Sequence, residues 1–283
     1  MSFVTRLLSR VSQVGSPTCI GLDPHLSRLP LDAAGGRARA AAAAEAFCCG
    51  VIEAVAEHVA AVKPQVAFFE ALGSPGVAAL ERVVSTAREA GLLVVLDAKR
   101  GDIGSTAEAY AHATLDDDGP MGADSVTLSP YLGAESLAPF ARRLDTGKGL
   151  FLLVRTSNPG SGLWQGSPDG GIASQVASWI ASANASAERF GSVGAVLGAT
   201  LEGEVETWRQ RMPRAWFLVP GFGAQGAGPR EIRRHFHHDG TGALVVSARG
   251  VLFPKSGRDG ADWQQQVGGR ARALVDAVGA ALS

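Results

Sequence analysis

Residues 97–102 read Asp-Ala-Lys-Arg-Gly-Asp, directly after the apolar run Leu92-Leu93-Val94-Val95-Leu96. Two carboxylates and an ammonium thus close what reads as a buried strand. Charges there are costly unless they pair with one another or take part in chemistry. Side chains alternate along a strand, so Asp97 and Lys99 are expected to project to the same side. Gly101 lets the chain turn, and Asp102 follows. Two further strand ends carry charge: Asp23 in Gly21-Leu22-Asp23-Pro24, and Lys63 in Val62-Lys63-Pro64-Gln65. If these ends converge, three carboxylates and two ammoniums share a small volume, and each neighbour of opposite sign favours the charged form. Taken singly, each has a plainer reading. Asp23 caps a turn before Pro24, Lys63 is a surface lysine leaving a strand, and Asp97, Lys99 and Asp102 form a structural ion-pair network. All five falling at strand ends favours a site.

A phosphate-binding region is also legible. The segment Pro220-Gly221-Phe222-Gly223-Ala224-Gln225-Gly226 offers glycines whose backbone N–H groups can approach an anion. The next strand end, Ser247-Ala248-Arg249-Gly250, supplies a guanidinium able to grip phosphate with two hydrogen bonds. The plainer alternative is a tight turn and a surface arginine.

Eight short apolar runs would position these groups: Thr18–Leu22, Val59–Lys63, Leu92–Asp97, Ser125–Ser129, Leu150–Thr156, Val193–Leu197, Trp216–Val219 and Leu244–Ser247. They are continuous rather than alternating, as expected for strands covered on both faces. Helical segments lie between them, clearest at Ala38–Glu57, Val77–Ala90, Ile172–Phe190 and Asp262–Leu282. Eight β-then-α units predict a single (β/α)8 TIM barrel over residues 1–283, with an N-terminal helix in Met1–Ser16. An open doubly wound sheet is the alternative, but no dinucleotide fingerprint accompanies it. Long connections follow the fifth strand (Ser157–Gly171) and the seventh (Gly221–Pro229). Both fall on the face where barrel active sites form, and each reads as a lid or as a plain linker.

Composition narrows the function. A formal net charge of -1 over 283 residues disfavours a general nucleic-acid binder. The alanine-rich stretch Ala38–Ala61 is interrupted by Glu45, Glu53, Glu57 and His58 and is too charged to cross a bilayer. Cys19, Cys48 and Cys49 lack metal-ligand spacing and read as reduced structural thiols, which fits a cytoplasmic protein. No G-x-S-x-G elbow and no H-E-x-x-H motif is present. His235, His237 and His238 fall in the polar stretch Ile232–Asp239 before the eighth strand. They read as a solvated face at the end opposite the proposed site.

The run Asp97-Ala98-Lys99-Arg100-Gly101-Asp102-Ile103-Gly104-Ser105-Thr106 resembles the signature of the orotidine 5'-phosphate decarboxylase family. The D-x-K-x-x-D core is shared with related sugar-phosphate enzymes; the longer form is much more specific. Val154-Arg155-Thr156-Ser157-Asn158-Pro159-Gly160 and the strand ends quoted above extend the likeness to the last strand, in the manner of the longer bacterial branch called type 2. In compact members the first-strand Asp and second-strand Lys lie closer together, and the Gly35–Ala44 region lengthens that connection here. The resemblance implies a cytoplasmic, cofactor-independent and metal-independent enzyme that converts orotidine 5'-monophosphate to UMP in pyrimidine biosynthesis. It also implies a homodimer with active sites at its interface. By motif position Lys99 would donate a proton to C6, Asp97 would lie against the substrate carboxylate, and Lys63 would sit between the carboxylates. Asp102 would come from the partner subunit. Asp23 and Lys63 would bind ribose hydroxyls, and Ser157 the pyrimidine. Gly223, Gln225 and Arg249 belong to the phosphate side, while Ile103 and Thr106 would reach across the interface.

Two other readings stay open on the residues. A sugar-phosphate decarboxylase or epimerase of the same superfamily would use Mg²⁺ and an acidic ligand at the second strand end, where this chain has Lys63. A catalytically silent nucleotide-binding barrel would have no need of Lys99.

Overall fold

The apolar runs become strands because their side chains are buried toward both faces. In the computed structural model, which describes residues 1–201, 203–222, 228–254 and 260–283, eight parallel strands close into a barrel in chain order. They are β1 (Thr18–Leu22), β2 (Ala61–Pro64), β3 (Leu93–Arg100), β4 (Ser125–Leu128), β5 (Gly149–Arg155), β6 (Val193–Leu197), β7 (Phe217–Pro220) and β8 (Ala243–Ser247). The ring closes where Thr18, Cys19 and Ile20 of β1 pair with Val245, Val246 and Ser247 of β8. The helices are α1 (Phe3–Val14), α2 (Arg37–Val55), α3 (Val66–Glu70), α4 (Ser74–Glu89), α5 (Gly104–Leu115), α6 (Ala138–Ala141), α7 (Ser161–Gln165), α8 (Ile172–Ala183), α9 (Val205–Arg211), α10 (Pro229–Arg233), α11 (Arg249–Leu252) and α12 (Trp263–Leu282). The eight expected strands are all present: β1 and β6 have the expected bounds, and the other six differ by up to three residues at an end. One helix is shorter than the sequence pattern suggests. It stops at Ala183 because the Asn184 side chain turns inward, donating to the Val193 carbonyl at 2.7 Å and accepting its N–H at 3.3 Å.

Alternation along the strands sorts their side chains into two cores. Ile20, Leu22, Val62, Val94, Leu96, Val126 and Val245 join the larger one, shared with the helices. Cys19, Ala61, Leu93, Val95, Phe151, Leu218 and Val246 join a second, inside the barrel. Helix α1 contributes Phe3, Val4 and Leu7 to this inner core and so forms the barrel floor. Phe3 meets Phe151 edge to face, with ring centroids 6.0 Å apart. A Cβ on Gly149 would lie 2.2 Å from the Phe3 ring, so only glycine leaves room there. Arg6 of α1 pairs with Asp124, whose other oxygen accepts the Val94 N–H at 2.8 Å. Each fully buried aliphatic or aromatic side chain contributes about 1.5–3 kcal/mol.

The same alternation places the polar residues. Counting up from Cys19, Ala61 and Val95 by twos reaches Asp23, Lys63 and Asp97. The floor of the barrel interior is therefore apolar and its upper layer is charged. That upper layer lies at the carboxyl ends of the strands, where barrel enzymes build their active sites.

Candidate active site

Asp97 is the centre of the cluster. It is 6% exposed, and its two oxygens accept four hydrogen bonds. Lys63 Nζ donates to Oδ2 at 2.5 Å and Lys99 Nζ to Oδ1 at 2.6 Å. Gln65 Nε2 donates to Oδ2 at 3.0 Å and Thr127 Oγ1 to Oδ1 at 2.9 Å. Burial alone would raise the Asp97 pKa, but the charges and hydrogen bonds of Lys63 and Lys99 outweigh it and bring it down to about 2. Lys63 is as deeply buried, and burial would lower its pKa. Asp97 and Asp23 reverse that and hold it above the usual lysine value. Both partners therefore stay charged at neutral pH. Asp23 stands nearby with its pKa raised by burial, an effect Lys63 opposes. Among the described residues its Oδ1 finds no hydrogen-bond partner.

The end of β3 departs from regular strand geometry. Leu96 lies opposite Val126 of β4, yet Arg100 lies opposite Leu128. Four steps on one strand face two on the other, so β3 bulges between them. Lys99 sits in this bulge with φ of 48°, the only non-glycine residue with positive φ among those described. Such a conformation costs a non-glycine residue on the order of 1–2 kcal/mol. It leaves the Lys99 side chain 46% exposed at the mouth while its ammonium remains tied to Asp97. Gly101 follows because a Cβ there would come within 2.5 Å of the Ser129 carbonyl oxygen.

The structure thus brings Asp23, Lys63, Asp97 and Lys99 together and leaves Asp102 apart. Asp102 Oδ1 accepts the N–H of its neighbour Ile103 at 2.8 Å, and among the described residues it pairs with neither lysine. Ile103 and Thr106 lie exposed at the start of α5. Ser157 lies half-buried in the loop after β5. That loop has structure of its own. It carries α7 and is tied back by Gln165, which accepts the Thr156 N–H at 2.8 Å. Arg249 is exposed at the start of the short helix α11, directly after β8. Gly223 and Gln225 lie outside the described residues.

Sequence reasoning missed two partners of Asp97, Gln65 and Thr127. It also misplaced a histidine. His235 is fully buried, not part of a solvated face, and its two ring nitrogens lie 3.2 Å from the Glu231 and Gly198 carbonyl oxygens, of which the single N–H of the neutral ring can donate to one. Gly198 directly follows β6, so His235 reaches the carboxyl-end side of the barrel. Burial pushes its pKa down to about 4. His238 is exposed and His237 half-buried.

A family model described as "Orotidine 5'-phosphate decarboxylase / HUMPS family" matches residues 16–261. The chain belongs to the orotidine 5'-phosphate decarboxylase family. It is 44% identical over 288 residues to the orotidine 5'-phosphate decarboxylase of Rhodopirellula baltica, covering 94% of this chain and 95% of that one. The enzyme of that name from Streptomyces coelicolor is 45% identical over 251 residues, covering 87% and 88%. Among solved structures, the OMP decarboxylase of Leishmania donovani superposes with a TM-score of 0.80 at 34% identity, covering 100% of this chain and 99% of that one. The family match spans β1 to β8, so it takes in Asp23, Lys63, the β3 cluster and Arg249.

Proposed function

We propose that this chain decarboxylates orotidine 5'-monophosphate to UMP and CO₂, with Lys99 as the proton donor. The observation that carries the reading is the buried Lys63–Asp97–Lys99 array at the barrel mouth, with one lysine sealed and the other half-exposed. Loss of CO₂ leaves an electron pair on C6 with little resonance relief. An ammonium fixed at that carbon stabilises the developing charge and then transfers its proton to it. Asp97 lies against the departing carboxylate, and the repulsion between them is relieved as CO₂ leaves. Four donors on Asp97 keep it ionised and fixed, so it cannot simply take up a proton or rotate away. Asp23 and Lys63 hold the ribose hydroxyls, and Ser157 the pyrimidine. Gly223, Gln225 and Arg249 take the phosphate. Binding energy from that remote group helps to assemble the site around the reacting carbon.

The reading includes a homodimer. Asp102 of the partner subunit completes the array, and the partner's Ile103 and Thr106 reach the same site. It is supported by the separation of Asp102 from its own chain's lysines and by the 55% exposure of Ile103. Tyr131, Leu132 and Trp164, also largely exposed, add apolar surface for a subunit contact. A cytoplasmic location accords with the three free cysteines. Among the described residues no helix is long and apolar enough to cross a membrane.

The deciding experiment is loss of orotate ultraviolet absorbance on mixing enzyme with substrate, for the wild type and Lys99→Ala. The wild type consumes substrate. The variant keeps its circular dichroism spectrum and loses turnover by roughly a thousandfold or more, since both charge stabilisation and proton delivery are gone. Near-normal turnover in a folded Lys99→Ala protein would remove Lys99 from the mechanism.

A further inference from the structure

Thr127 lies on β4, two residues beyond Ser125, and is 1% exposed. Its hydroxyl makes two hydrogen bonds, both to the β3 cluster. The oxygen stands 3.0 Å from the Lys99 backbone nitrogen and 2.9 Å from Asp97 Oδ1. The backbone N–H can only donate, so the hydroxyl accepts there and gives its own proton to the carboxylate. The bulge explains why a side chain is needed. With four β3 steps set against two on β4, the ladder runs out of step at Lys99. The hydroxyl receives the Lys99 N–H there. The same contact props a lysine held in a left-handed conformation.

We infer that Thr127 is a positioning residue for Lys99. One hydroxyl couples the backbone of the proton donor to the carboxylate that aims its ammonium, and so fixes where Nζ stands relative to the reacting carbon. The inference rests on the assignment of Lys99 above. Replacing the hydroxyl by a methyl leaves the Lys99 N–H and one Asp97 lone pair unmatched in a buried place. The backbone can then relax from its left-handed turn and carry the ammonium with it. Misplacement of this kind lowers the rate of the chemical step and has little effect on how ribose and phosphate bind.

The test compares Thr127→Val, which keeps the shape and loses the hydroxyl, with Thr127→Ser, which keeps the hydroxyl and loses the methyl. Steady-state turnover of orotidine 5'-monophosphate and thermal melting are measured for both, beside Lys99→Ala. Val lowers kcat about tenfold or more with KM within about threefold, and Ser stays within about threefold of wild type. The inference is overturned if Val keeps kcat within threefold, if Val changes KM alone, or if Ser falls as far as Val. That last result would show that packing of the methyl group matters, not the hydroxyl. If Val does not fold, Thr127→Cys, of similar volume and weak hydrogen-bonding power, takes its place under the same thresholds. An active Lys99→Ala would instead sink the underlying role of Lys99. A dead Lys99→Ala beside a fully active Thr127→Val would sink only the role of Thr127.

Discussion

At the scale of single residues, two buried ionisable groups contribute to how folding stability responds to acid. His235 has its pKa lowered from 6.5 to about 4, mainly by burial. The unfolded chain therefore takes up a proton in a pH range where the folded chain does not. Stability falls as pH drops from about 6.5 toward 4, by about 3 kcal/mol in all for a shift of that size. Asp97 acts lower on the scale. Its pKa falls from 3.8 to about 2, so its contribution is complete above 3.8 and is lost as pH drops toward 2. We therefore expect His235→Gln to flatten the dependence of urea-unfolding free energy on pH between 6.5 and 4. An unchanged slope in that variant would mean that His235 is not the group being protonated. The Asp97 cluster was legible in the sequence because charges at the end of an apolar run are conspicuous. Thr127 was not, because a threonine in a strand is an ordinary β-former and carries no charge. His235 was misread because α10 is barely more than one turn, too short to show which side faces inward.

At the scale of elements, the eight strands were legible because runs buried on both faces lack polar interruptions. Their pairing was not, and pairing is what makes the β3 bulge: it arises from the register against β4, which no local pattern in β3 reports. The strict alternation expected of Asp97 and Lys99 held in outcome, since both meet at the mouth. It is reached through a left-handed lysine rather than a regular pleat. Helix α1 works at the other end. Its Phe3 is 2% exposed and fills the floor against Phe151. Phe3→Ala should cost about 3–5 kcal/mol by opening a cavity in the inner core. The melting temperature should fall by roughly ten degrees. Turnover at a temperature where the variant is folded should stay near wild type, because the cavity lies below the charged layer. A large loss of kcat in the folded variant would contradict the separation of floor from mouth.

At the scale of the whole molecule, the question is which subunit supplies Asp102. If it acts across an interface, Lys99→Ala and Asp102→Asn enzymes are each inactive, yet a mixed dimer holds one site with both residues intact. Unfolding and refolding equal amounts together should restore about a quarter of wild-type activity, since half the dimers are mixed and each has one good site of two. No recovery would place Asp102 in its own subunit's site. The division of the barrel interior by alternation also bears on how such a chain can change in length. Deleting one residue from β3 before Asp97 would turn the acid and the lysine outward into the helix layer and bring hydrophobic side chains to the mouth. The same deletion between Asp23 and α2 leaves every strand in phase. Insertions and deletions should therefore accumulate in the connections and be refused in the strands. Length between Asp23 and Lys63 can thus change without moving either residue.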